Sequence, residues 1–261
     1  MRSIKSPVLT LINDSINDGK TAVLATVIST DLEVPVFLGK KLAVDSEGRS
    51  AGSLGDENLD SEVLKMCLES MKKGESTSIH FTINPDASGQ TGTDQKSQVE
   101  LFFDLIEAPP RMIIFGAGHI ALPLTRIGKT VGFRIVVVDD REEFASRDRF
   151  PEADDVKVMD FDKSADLLNI DSTTYLVLIT RGHKHDEIIL RSKTCEKAVY
   201  IGMIGSKRRS SSVLASLKRD GYSQKFIDRI HTPIGVNIGS QTPEEIALSI
   251  AAEVVKVRRS L

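Results

Sequence analysis

At 261 residues, 40% hydrophobic and 27% charged, the chain is long enough for two domains with substantial cores and has the composition of an ordinary folded protein. A net charge of −3 excludes the strong basic field that nucleic-acid or membrane-surface binding requires. Two cysteines, Cys67 and Cys195, exclude a disulfide framework and offer no metal or redox spacing. With no bilayer-length apolar run and no signal-like N-terminal stretch, the sequence reads as cytoplasmic.

In chain order, Val8, Leu9, Leu11, Ile12 and Ile16 make a helical apolar stripe that ends at Gly19. Ala22–Ser29 reads as a strand. Val34–Val44 reads as a second, with Pro35 and Gly39 marking an edge, bulge or bend, and Ser50–Leu54 as a third. Asp56–Lys73 is a long helix whose buried face includes Val63, Cys67 and Met71. Cys67 therefore reads as core. Strands at Ser76–Ile83 and Gln98–Glu107 flank a polar, glycine- and serine-rich loop over Asn84–Ser97. Residues 1–108 thus form a small α+β domain, and Ala108-Pro-Pro110 marks its end.

From residue 111 to 261 the pattern changes to alternating strand and helix. Met112–Phe115 is a short apolar strand. Gly116-Ala-Gly118-His-Ile-Ala121 follows at once, then a helical stripe over Ile120–Val131 and a β-branched strand over Phe133–Val138, ending at Asp139-Asp140. Gly116 permits the sharp turn, Gly118 lets a phosphate approach the backbone, and Ala121 lets the helix lie close to the sheet. Asp139 stands at the position of an acid that binds ribose hydroxyls, a choice that would favour NAD over NADP. Further strands are predicted at Asp155–Met159, Thr174–Thr180 and Ala198–Ile204, and helices at Lys163–Leu168, His185–Lys193, Ser206–Asp220, Ser223–Arg229 and Thr242–Arg259. The fold class is α/β: a doubly wound, Rossmann-like parallel sheet behind a smaller α+β domain.

Ligands of such sheets gather beyond the carboxyl ends of the strands, and four clusters fall there. They are Gly116–His119; Asp139-Asp140-Arg141; Thr180-Arg181-Gly182-His183-Lys184-His185-Asp186; and Gly202–Arg209, with Gly205, Ser206, Lys207 and Arg208 at a helix start. Cations are unfavourable at a helix N-terminus, so the last cluster reads as an anion site or as a solvated basic turn. His183 and His185, two apart, do not share a helix face, and no metal site is read from them. Acid/base work, phosphate contact and a plain strand-to-helix turn all suit His183 and Asp186. His119 faces either ligand or core. The glycine-spaced loop Pro233–Gly239 is a cleft wall or a structural return.

The segments FGAGHIA, VVVDDREEFASRDRFPEAD, LVLITRGHKHD, YIGMIGSKRR and HTPIGVNIGSQTPEEIALSIAAEVV, in this order, resemble the XdhC/CoxI family of xanthine dehydrogenase accessory proteins. The resemblance implies a chaperone-like role: binding molybdenum cofactor (molybdopterin), assisting its sulfuration and delivering it to a molybdenum hydroxylase such as xanthine dehydrogenase. It also implies a homodimer and a cysteine desulfurase partner. Residues 1–108 keep the family outline but depart from it at Val36, where the family has arginine. They depart again at Asp56, Glu57 and Asn58, where it has two glycines and a cysteine, and around Gln95, where a second cysteine motif is expected. Asn58 and Gln95 do not replace a soft thiolate ligand. Two other functions fit the fingerprint alone: an NAD(P)-dependent oxidoreductase, and a non-catalytic nucleotide-binding sensor or scaffold.

Overall fold

A computed structural model describes residues 6–31, 38–83 and 97–260. The chain divides into two compact units, Met1–Ala108 and Pro109–Leu261. No helix among the described residues is long and apolar enough to cross a membrane.

The first unit is an antiparallel sheet of five strands: β1 (Ala22–Thr30), β2 (Lys41–Asp45), β3 (Ser50–Ser53), β4 (Thr77–Ile83) and β5 (Ser97–Ile106), in the order β3-β2-β1-β5-β4. Alternation along β1 sends Val23, Ala25 and Val27 to one face. There they pack with Leu59, Val63 and Cys67 of α2 (Glu57–Lys73). The other face meets Val8 and Ile12 of α1 (Pro7–Asn17). The strand expected over Val34–Val44 begins only at Lys41, because Leu38-Gly39 is a turn with Gly39 at φ +77°. Residues 32–37 and the loop expected over 84–96 lie outside the described residues.

The second unit is a parallel sheet of six strands: β6 (Arg111–Phe115), β7 (Arg134–Asp139), β8 (Asp155–Val158), β9 (Thr174–Leu178), β10 (Tyr200–Met203) and β11 (Ile230–His231). Their order, β11-β10-β9-β6-β7-β8, is that of a doubly wound nucleotide-binding sheet. The central strands are apolar along their length because both faces are covered. Ile113 and Phe115 point toward the layer of α4 (Phe161–Leu167), α5 (His183–Leu190) and α6 (Lys207–Arg219). Met112 and Ile114 point toward α3 (Ala121–Thr130) and α8 (Pro243–Arg258). A short helix, α7 (Gln224–Ile227), precedes β11. The reversal of strand order lies between β6 and β9. The chain therefore opens a crevice at their carboxyl ends.

Residues 140–154 link β7 to β8 without a helix, and Phe150 fills the space on the α3 side that a crossover helix would occupy. At the other end of the unit, Thr242 caps α8. Its hydroxyl accepts from the Glu245 N–H at 3.3 Å, and the Glu245 carboxylate accepts from the Thr242 N–H at 3.1 Å. Replacing Thr242 with Ala should lower stability by about 1 kcal/mol. Urea unfolding monitored by circular dichroism measures this, and a midpoint equal to wild type would show that the cap is idle.

Candidate functional site

The turn after β6 is shaped by two glycines with different tasks. Gly116 has φ +103°, and a Cβ there would sit 2.5 Å from the Ile179 carbonyl oxygen and 2.8 Å from Thr180 Cα. Its bareness lets the ends of β6 and β9 lie side by side. A Cβ on Gly118 would meet nothing within 4 Å, so open space lies over this part of the turn. His119 is exposed beside it, and Ala121 is buried where α3 meets the sheet. Ile120, at the α3 N-cap, offers no side-chain hydrogen bond. In the first turn of α3 the Ala121 N–H already donates to the Gly118 carbonyl at 3.2 Å and Pro123 has no N–H, so an acceptor arriving there would meet the Leu122 N–H and the helix dipole, which favours a negative group.

Asp139, whose spacing is that of an acid for ribose hydroxyls, is turned inward. It is 1% exposed. Its Oδ2 accepts from the Ala117 N–H at 2.8 Å and from the Arg141 guanidinium at 3.1 Å, and its Oδ1 accepts from Arg141 Nε at 2.9 Å and from the Arg141 N–H at 3.1 Å. Burial pushes its carboxyl up, but Arg141 and the N–H donors outweigh that and hold it below the usual carboxylate range. Asp139 therefore fixes the glycine turn to β7. Arg141 also stacks on Phe144 at 3.6 Å, while Arg149 donates to the carbonyls of Ala117 and Phe144. The acid nearer the surface is Asp140, and it is held by the two terminal guanidinium nitrogens of Arg181 at 3.0 and 2.8 Å. Because β6 lies between β7 and β9, this pair ties together the strand ends on either side of the glycine turn.

On the far side of β9 the third and fourth sequence clusters meet in a cavity of about 200 Å³. Thr180, Arg181, Gly182 and Asp186 line it from one side, and Gly205 and Arg209 from the other. Asp186 is 2% exposed, and burial pushes its carboxyl up to about 7 against hydrogen bonds from the Thr180 hydroxyl and N–H. Ser206 caps α6 by accepting from the Arg209 N–H. Lys207 and Arg208, predicted as anion contacts, are exposed and do not line the cavity. The third residue of the helix, Arg209, does. His183 opens α5. Ser210, also on the wall, lies outside the clusters legible in the sequence. Helical periodicity counted from the Ser206 cap is the signal that points to Arg209 and Ser210.

Both cysteines are buried, and burial pushes each thiol up to about 12, far from a reactive thiolate. Among the described residues, no three His, Cys, Asp or Glu side chains gather as metal ligands.

The family model described as "XdhC Rossmann domain" matches residues 112–254, and that of the "XdhC and CoxI family" matches residues 15–82. The chain belongs to the XdhC/CoxI family. One relative of this XdhC-type chain is a Bacillus subtilis (strain 168) protein named as a probable subunit of xanthine dehydrogenase, 29% identical over 61% of this chain and 46% of that protein. Another is the molybdenum cofactor insertion chaperone PaoD of Escherichia coli (strain K12), 27% identical over 40% of this chain and 33% of that one. The chain spans less than half the length of the curated relatives it matches. A solved structure described as a xanthine dehydrogenase (BH1974) from Bacillus halodurans shares the fold, with a TM-score of 0.55 and 19% identity over 98% of this chain and 96% of that one.

The Asp139–Arg141 pair gives a test within this family site. Arg141→Ala leaves a buried carboxylate short of its charged partner, which should cost about 1.5–3 kcal/mol at neutral pH. A depressed folded pKa stabilises above the unfolded value, and that stability is lost as pH falls through the folded one. The gap between wild type and variant should therefore narrow once the pH drops below about 3.9. Denaturant titrations at several pH values report it, and a gap independent of pH would contradict the pairing.

Proposed function

We propose that this chain is an XdhC-type accessory protein that holds molybdenum cofactor, or a related nucleotide, and assists maturation of a molybdenum hydroxylase such as xanthine dehydrogenase. The observation that supports it best is the open space over Gly118 at the uncapped start of α3, beside a cavity bordered by Arg209. A phosphate suits the first feature and a ring of pterin size suits the second. The relatives named as a molybdenum cofactor insertion chaperone and a probable subunit of xanthine dehydrogenase supply the rest of the support.

Within this reading the chain works by holding and release. The positive dipole end of α3 and the Leu122 N–H, with Gly118 and His119 beside them, receive the phosphate. Arg209 offers a further cation, and Arg181 with Asp140 borders the entrance. When bound, the cofactor supplies the molybdenum and its sulfur chemistry to the client. The buried thiols of Cys67 and Cys195 do not suit ligation of that metal, and Asn58, exposed in the first turn of α2, offers no thiolate in place of the family's cysteine. A homodimer, with a cysteine desulfurase as a second partner, completes the proposal. The NAD(P)-dependent oxidoreductase reading loses its support at Asp139, whose carboxylate is engaged by Arg141 and Ala117.

The test is retention. Anaerobic incubation with cofactor released from a molybdenum hydroxylase, followed by gel filtration, should leave molybdenum and pterin with the wild-type protein. Gly118→Val fills open space, so it should keep the fold and lose the cofactor. Arg209→Ala should weaken retention about tenfold, the scale of one charge-assisted contact. Full retention by Gly118→Val, or steady NADH oxidation with a small carbonyl substrate, would overturn the proposal.

A further inference from the structure

The cavity between β9 and β10 holds a group that phosphate binding does not explain. A carboxyl repels anions, yet Asp186 is buried on its wall, opposite Arg209. Among the described residues it makes no ion pair. Arg181, which lines the same cavity, is already engaged with Asp140. Its donors are the Thr180 N–H and the Thr180 hydroxyl, which lies 2.7 Å from Asp186 Oδ1 and 3.0 Å from the Gly182 carbonyl oxygen, so that its single proton serves one of these two at a time. Met203, Ile204 and Val213 give the cavity apolar walls. An apolar slot of about 200 Å³ with an acid inside suits a flat heterocycle that brings its own N–H donors.

We propose that Asp186 reads the amino-amidine edge of a bound pterin or guanine, its two oxygens accepting from the ring N–H and the adjacent exocyclic amino group. This rests on the reading above and assigns the ring-recognition residue within it. The pairing follows from donor and acceptor counts. Pterin and guanine present two neighbouring donors, which match the two acceptors of a carboxylate. Adenine presents one donor and one acceptor, which match a protonated acid.

The protonation state of Asp186 therefore decides which ring fits. Burial places its titration at about 7. The charged groups facing it are Arg181 after β9, tied to Asp140 after β7, and Arg209 on α6. His185, next to it on α5, turns toward Phe161 of α4, and the residues contributed from the β10 end, Met203 and Ile204, are apolar. Affinity for a two-donor edge should rise with pH through this range, and affinity for adenine should fall.

The probes are 6-carboxypterin and its analogue with oxygen in place of the 2-amino group, then GMP, IMP and AMP, titrated calorimetrically from pH 6 to pH 8. Wild type should prefer 6-carboxypterin and GMP over the analogues without the amino group by at least tenfold, with the preference growing as pH rises. Asp186→Asn presents one donor and one acceptor, and should erase the preference without changing the circular dichroism spectrum. Equal affinity with and without the amino group, an unchanged preference in Asp186→Asn, or a preference for AMP across the pH range would overturn the assignment. If cofactor retention stands while discrimination fails, only the role of Asp186 falls. If no pterin or nucleotide binds and no cofactor is retained, both readings fall together.

Discussion

The second unit depends on how closely two strand ends approach. A side chain at Gly116 would collide with the Ile179 carbonyl, so a bare backbone is needed for β6 and β9 to finish side by side. That contact sits where the strand order reverses, the one place where helices leave toward opposite faces and open a crevice. Asp139 then pins the same turn from the β7 side through Ala117. With both flanks fixed, Gly118 and the start of α3 are presented without needing a side chain of their own to order them. A site built from backbone and held by buried contacts is pre-organised, and less ordering entropy opposes binding.

The charges around the crevice divide into two kinds. The Arg141–Asp139 and Arg181–Asp140 pairs are internally compensated and hold loop to strand end. Arg209 and Asp186 border the cavity without pairing to each other. They are of opposite sign and suit a ligand with an anionic end and a donor-bearing ring. A nucleotide or a pterin phosphate has that polarity, whereas a simple anion does not.

Much of the fold is legible in the sequence, because continuous apolar runs such as Met112–Phe115 and Thr174–Leu178 announce buried parallel strands. The Thr242-Pro243-Glu245 start of α8 is equally plain. Other parts are not. β11 is only two residues long, too short for any period to show. The segment 140–154 stands where a helix is customary, and its packed residues, Phe144, Ala145, Phe150 and Ala153, show no helical or strand period. Asp139 has the spacing of a ribose ligand, but spacing does not say which way a side chain points. Arg141, two residues on, turns it inward. Among Lys207, Arg208 and Arg209, the one that faces the cavity depends on where the helix begins, since each residue rotates by about 100°. The sequence pattern starts a helix at His185, but α5 starts two residues earlier, directly after the extended Gly182.

In the function proposed here, one ligand touches both sides of β9: the glycine turn on one flank and the Asp186 cavity on the other. Backbone amide correlation spectra recorded while cofactor is added anaerobically test this most directly. Saturable shifts are predicted at residues 116–121 together with 180–186 and 205–210, sharing one midpoint. Shifts confined to one flank, or gathered around His231 and Glu253 at the sheet edge, would contradict it.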